Sequence, residues 1–152
     1  MQTLQILVDA DACPVKDIII KVAEGRNIPV TMFMDTSHTW RHEGVKVITV
    51  DKARDGVDIA LINTARKNDI VVTQDYGVAA LALGKGAVAL NQNGLIFNSG
   101  NMDKLLFERH LGQKVRRAGG RTKNPGKRTK IDDEKFERAL RQLIDGGRGY
   151  GD

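Results

Sequence analysis

A single cysteine, Cys13, stands in 152 residues, so no disulfide can form within the chain. No apolar stretch approaches the roughly 20 residues needed to cross a bilayer. The amino terminus lacks the charged region, apolar core and cleavage site of a secretory signal, and no internal repeat is visible. Histidine is almost as scarce as cysteine. His38 and His42 lie four apart, a spacing that suits zinc on a helix, but no third nitrogen or sulfur ligand is evident, so a zinc site is not expected. These absences, with 41% apolar and 28% charged residues, are those of a soluble globular chain, and the expected location is the cytoplasm.

What is missing locally is more telling. From Lys114 to Lys130 there are eight basic residues and no acidic one. Residues 1–110 carry 12 Lys/Arg against 13 Asp/Glu, a net of −1, whereas residues 111–152 carry 12 against 6, a net of +6. A basic arm beside an acidic body points to a polyanion, and nucleic acid is the expected partner. Arg116, Arg117, Arg121, Lys123, Lys127, Arg128 and Lys130 are the phosphate-tracking candidates as a group.

Strand-like and helix-like segments alternate along the chain. Strands are expected at Leu4–Val8, Pro29–Met34, Val45–Val50, Asp69–Thr73 and Ala87–Leu90, with an extension at Gly94–Phe97. Val15, Ile18, Ile19 and Val22 keep the spacing of a buried helix face, Pro14 suits that helix's first position, and Gly25 stops it. Further helices are expected at Val57–Lys67, Val78–Leu83, Asn101–Leu111 and Asp132–Ile144, the last capped by Asp132. One α/β domain follows, with a mainly parallel sheet of roughly five strands and helices on both faces. Its expected divisions are a body over 1–112, a basic loop over 113–131, a helix over 132–145 and a flexible tail over 146–152.

The chemistry resides in carboxylates placed where strands end. The apolar run Ile6-Leu7-Val8 closes on Asp9-Ala10-Asp11, and alternation puts both acids on one side, roughly 7 Å apart if the chain stays extended. Asp55 and Asp58 flank the start of the second helix, and Asp75 follows Val71-Val72-Thr73-Gln74. If these strand ends converge at a topological switch point, four or five acids share one crevice. Such a cluster needs cations, and oxygen-only ligands suit Mg²⁺ or Mn²⁺.

Three stretches carry a specific resemblance: Ile6-Leu7-Val8-Asp9-Ala10-Asp11-Ala12-Cys13-Pro14-Val15, Lys52-Ala53-Arg54-Asp55-Gly56-Val57-Asp58 and Val72-Thr73-Gln74-Asp75-Tyr76-Gly77-Val78-Ala79. Together with Arg-Thr-Lys and Pro-Gly-Lys-Arg-Thr before the last helix, they resemble the YaiI/YqxD family of uncharacterised bacterial proteins, over nearly the whole chain. That family is grouped with PIN-like domains, which are metal-dependent ribonucleases. The resemblance implies a PIN-like three-layer sandwich and Mg²⁺- or Mn²⁺-dependent cleavage of RNA. It matches Asp9 to the strand-one acid, Asp58 to the central-helix acid, and Thr73 with Asp75 to the Thr-x-Asp motif. Asp11 and Asp55 match the family's own motifs. The further acid that PIN proteins usually carry after Thr-x-Asp has no counterpart in Tyr76-Gly77-Val78-Ala79.

Trp40 and Arg41 suit base stacking and phosphate contact on a single strand, and Lys16 could hold a phosphate beside the acids. Catalytic roles are expected for Asp9, Asp11, Asp58, Asp75 and Thr73, and metal binding for Asp9, Asp55, Asp58 and Asp75. Two other readings stay open. Asp9-x-Asp11 resembles the nucleophile motif of haloacid-dehalogenase phosphatases, with Asp9 forming an aspartyl-phosphate. The chain could also be an RNA-binding module without catalysis.

Overall fold

The structure is a computed structural model that describes residues 4–35, 40–51, 56–119 and 126–145. Five strands form one sheet in the order β3-β2-β1-β4-β5. These are β1 (Ile6–Asp9), β2 (Val30–Asp35), β3 (Lys46–Val50), β4 (Ile70–Val72) and β5 (Val88–Leu90). Every pairing is parallel, with Ile6 beside both Val30 and Ile70 in register. The expected extension at Gly94–Phe97 is only a single antiparallel bridge between Leu90 and Ile96.

Alternation along the strands builds two cores. Ile6, Val8, Met32, Met34, Ile70 and Val72 point to one face, where α1 (Lys16–Glu24) and α5 (Lys130–Asp145) cover them with Ile19, Val22, Phe136 and Leu140. Leu7, Phe33 and Val71 point to the other face. There α2 (Gly56–Thr64), α3 (Tyr76–Gly84) and α4 (Ser99–Arg117) supply Leu61, Ala79, Ala82 and Met102. The result is a three-layer α/β sandwich, and continuous burial on both faces is why β1 and β4 are uninterrupted apolar runs. The chain builds leftward from β1 through β2 to β3, then returns to β4 on the other side of β1. The switch point therefore lies between the ends of β1 and β4.

Several boundaries differ from expectation for identifiable reasons. Helix α1 starts at Lys16 after an uncapped Val15, so Pro14 precedes the helix instead of occupying its first turn. Asp132 does not cap α5 from outside. Thr129 does, since Asp132 N–H donates to Thr129 Oγ1 while the Asp132 carboxylate accepts from Thr129 N–H at 2.9 Å, a reciprocal capping box. Helix α4 runs to Arg117, six residues past Leu111, so the segment from 113 to 117 is helix and not loop. Gly112 is the only residue in that stretch of poor helix propensity, and one glycine costs only about 1 kcal/mol. Leu106, next to the half-buried Leu105, is 41% exposed.

Glycine is required at one position near the site. Gly94 has φ +86°, and a Cβ there would lie 2.6 Å from the Lys135 carbonyl oxygen. The loop after β5 is thus pressed backbone to backbone against α5.

Candidate active site

Asp9 ends β1 on the parity of Leu7, so it emerges on the α2–α3–α4 side of the sheet. Its Oδ2 accepts a hydrogen bond from the Thr73 hydroxyl at 3.0 Å, directly across the switch point. Thr73 Oγ1 in turn accepts the Asp75 N–H at 3.0 Å. Thr73 is 2% exposed, so its hydroxyl direction is set by these two partners. The Asp75 carboxylate meanwhile caps α3, with Oδ1 accepting from Gly77 N–H at 2.7 Å and Val78 N–H at 3.1 Å.

Burial pushes the Asp9 carboxyl up to about 6, opposed by the Thr73 hydrogen bond and reinforced by the negative charges of Asp58, Asp11 and Asp75. Four of the five candidate acids therefore act on one locus. They do not stand equally close to it. Among the described residues no group of three or more His, Cys, Asp or Glu side chains is drawn together tightly enough to hold a metal ion.

Asp11 departs from the extended geometry that would set it parallel to Asp9. The chain leaves β1 in a tight turn, with Cys13 N–H donating to the Ala10 carbonyl and Ala12 at φ 57°. Asp11 swings toward the end of β2, where its Oδ1 accepts the Asp35 N–H at 3.3 Å. Asp58 sits half-buried in the first turn of α2. Asp55 lies outside the described residues, as do His38, Arg121 and Lys123.

A cleft of about 660 Å³ opens over Asp9, Gln74, Asp75 and Tyr76, and its far wall is one side of α4 with Leu105, Glu108, Arg109 and Arg116. Tyr76 stands edge-on to Phe97, with ring centroids 5.9 Å apart. An acidic floor thus faces a wall that carries two guanidinium groups. Of the basic candidates among the described residues, only Arg116 lines this cleft. Arg109 was not anticipated. Its signal is the seven-residue step to Arg116, which places both on one helix face once α4 is known to continue past Leu111.

Arg128 has a different task from tracking phosphate. Its Nε donates to Asp133 Oδ1 at 2.8 Å, one terminal nitrogen to Asn93 Oδ1 at 2.7 Å and the other to the Gln92 carbonyl at 2.7 Å. Gln92 N–H reaches on to Gln74 Oε1 at 2.7 Å, on the rim of the cleft. Arg128 therefore straps the loop after β5 to α5. Arg117, Lys127 and Lys130 are exposed.

Lys16, Trp40 and Arg41 are also separate from the cleft. The Lys16 ammonium donates to the Cys13 carbonyl at 3.2 Å and lies 5.9 Å from the Trp40 ring centroid. Trp40 stacks on His42 and packs against the α1-side core, and Arg41 lines a second hollow with His42 and Val47. Cys13 is half-buried, and desolvation raises its thiol pKa, which disfavours the thiolate,.

The family model for the uncharacterised YaiI/YqxD proteins matches residues 7–146. The chain belongs to the YaiI/YqxD family. A UPF0178 protein of Ruminiclostridium cellulolyticum is 67% identical over 141 residues, covering 93% of this chain and 92% of the relative. One from Clostridium kluyveri is 51% identical over 147 residues, covering 97% of each. Among solved structures, Rae1 (YacP) from Bacillus subtilis matches at a TM-score of 0.44 and 17% identity, over 93% of this chain and 98% of that one. A likeness that distant carries no assignment. No helix among the described residues of this YaiI/YqxD protein is long and apolar enough to cross a membrane.

Proposed function

We propose that this YaiI/YqxD protein is a PIN-like, metal-dependent phosphodiester hydrolase whose substrate is RNA. The observation that carries the reading is the setting of Asp9, a half-buried carboxylate at the switch point. Burial raises its pKa, the negative charges of Asp58, Asp11 and Asp75 add to that, and two arginines line the opposite wall of the cleft. A strand end gains nothing in stability from such crowding, whereas a cation relieves it.

Carboxylate oxygens are the donor type that a hard divalent ion prefers. The carboxylates of Asp58, Asp11 and Asp75 act on Asp9, and Mg²⁺ needs only one or two carboxylates because waters and substrate phosphate complete its shell. Asp9 would hold the ion with Asp58 or Asp75, and Asp55 remains a candidate from the sequence motif. When bound, Mg²⁺ or Mn²⁺ activates a water and stabilises the leaving oxygen of a phosphodiester.

The chain's own residues supply the rest. Thr73 fixes the Asp9 carboxylate by donating to one oxygen. Arg109 and Arg116 neutralise backbone phosphates on the far wall, and Tyr76 offers an aromatic edge beside the acids.

The test is paired. Mn²⁺ should raise the melting temperature of the native protein and support cleavage of single-stranded RNA, and Asp9→Asn should lose both while folding normally. Metal-dependent turnover retained by Asp9→Asn would defeat the assignment.

A further inference from the structure

We propose that the side-chain amide of Gln74 donates a hydrogen bond to a phosphate oxygen of the nucleic-acid substrate. The inference rests on the reading of the cleft as a nucleic-acid site and adds to it a residue that touches the substrate.

Gln74 stands between Thr73, which binds Asp9, and Asp75, which caps α3. It is an exposed residue, and an exposed glutamine ordinarily keeps its rotamer freedom,. Gln74 is held instead, because its Oε1 accepts the Gln92 N–H at 2.7 Å. The Gln92 carbonyl is itself held by Arg128 at 2.7 Å, and Arg128 is anchored to Asp133 on α5. A surface side chain is thus fixed by a run of contacts that reaches the last helix. None of those contacts uses its amide nitrogen.

The Gln92 contact also decides which way the amide faces. A backbone N–H only donates, so the atom opposite Gln92 is the oxygen. Oxygen and nitrogen lie on opposite sides of the amide carbon, and Nε2 therefore points away from Gln92. Gln74 lines two openings. One is a hollow of about 30 Å³ that it shares with Gln92, Asp11 and Thr73. The other is the large cleft that it shares with Asp75, Arg109 and Arg116. The oxygen belongs to the first, which leaves the nitrogen to the second. Among the described residues no protein group accepts from Nε2.

A phosphate oxygen is the acceptor that suits this place. Asp9 and Asp75 line the same cleft, and a lysine or arginine here would pair with them, whereas a neutral amide keeps its two N–H donors for a ligand. The opposite wall carries Arg109 and Arg116, which draw phosphates in,. A donor fixed before the ligand arrives loses little freedom on binding. Hydrogen bonds to ionised phosphate oxygens are also the stronger kind.

Binding of a labelled 2′-O-methyl oligonucleotide to the full chain without metal, read by fluorescence anisotropy, tests the contact. Gln74→Met removes both the donors and the Gln92 bond. Gln74→Glu keeps an acceptor for the Gln92 N–H and replaces the donors with a charge. Both should weaken binding about tenfold, while only Gln74→Met should melt earlier than the native protein. In ¹⁵N–¹H spectra of the native protein, the side-chain NH2 pair that Gln74→Glu lacks should shift when inorganic tripolyphosphate is added. That probe carries neither base nor ribose, and the shift separates a lost contact from an added charge. If Gln74→Met misfolds, Gln74→Glu and the spectra still decide. A Gln74→Glu protein that binds like the native one overturns the proposal and leaves Gln74 a brace alone. An NH2 pair unmoved by tripolyphosphate overturns it too, as does a native chain that binds no oligonucleotide. No turnover is read, so a native protein that binds but never cleaves would sink the hydrolase reading and leave this contact standing.

Discussion

Asp9 carries an electrostatic cost that the metal-free protein cannot avoid. Its carboxyl titrates near 6 in the folded chain, against an ordinary value of 3.8. The native state therefore holds that proton more tightly than the unfolded state does. The contribution to stability is fully present below about pH 3.8 and is lost as pH rises through about 6. Asp9→Asn should accordingly stabilise the metal-free protein at pH 7.5, by about 1–3 kcal/mol after allowing for solvent screening. At pH 4 the gain should vanish, and urea titrations of both proteins at the two pH values check this. Affinity for Mn²⁺, measured by calorimetry, should fall as pH drops through about 6, because a protonated Asp9 no longer attracts a cation. Asp9, Thr73 and Asp75 were legible in the sequence because an apolar strand has no structural use for a terminal acid and the Thr-x-Asp spacing is compact. The extended path expected from Asp9 to Asp11 was not met, since the turn at Ala12 needs a left-handed backbone that an alanine does not announce, although both acids still line one hollow.

At the scale of elements, the long basic segment divides into parts with different duties. Arg128 makes three charged hydrogen bonds and its side chain is only 20% exposed. Arg128→Ala should cost about 2 kcal/mol in urea unfolding, because charge-assisted hydrogen bonds are worth about 1.5–3 kcal/mol. Lys127→Ala should leave stability within about 0.5 kcal/mol, as exposed substitutions usually do. Composition could not separate these two neighbours. A run of basic residues looks uniform until one of them finds an acid and a carbonyl brought from sequence positions 133 and 92. The same blindness hid the end of α4, where basic residues suggested a loop although nothing after Leu111 breaks a helix before Gly119. The alternation of strands and helices was legible throughout, because continuous apolar runs and four-residue steps are local signals. Strand order was not, since it depends on which face each crossover takes.

For the molecule as a whole, binding of RNA should be strongly salt-dependent, with Arg116→Ala lowering the slope of log K against log salt by about 0.7, the value for one phosphate contact on a single strand. Fluorescence anisotropy with a labelled oligonucleotide at several salt concentrations measures that slope. Phe136, 0% exposed on α5, joins the core formed by β1, β2, β4 and α1. Phe136→Ala should therefore cost about 3–5 kcal/mol in urea unfolding. The last helix is in this sense part of the first core. A nascent chain acquires every candidate metal-binding acid by residue 75, yet the cleft rim at Gln74 is tied through Gln92 to Arg128 and α5. A ribosome-bound fragment ending before residue 126 would carry the acids without their brace, so the order of synthesis itself withholds a finished cleft until the final helix has docked.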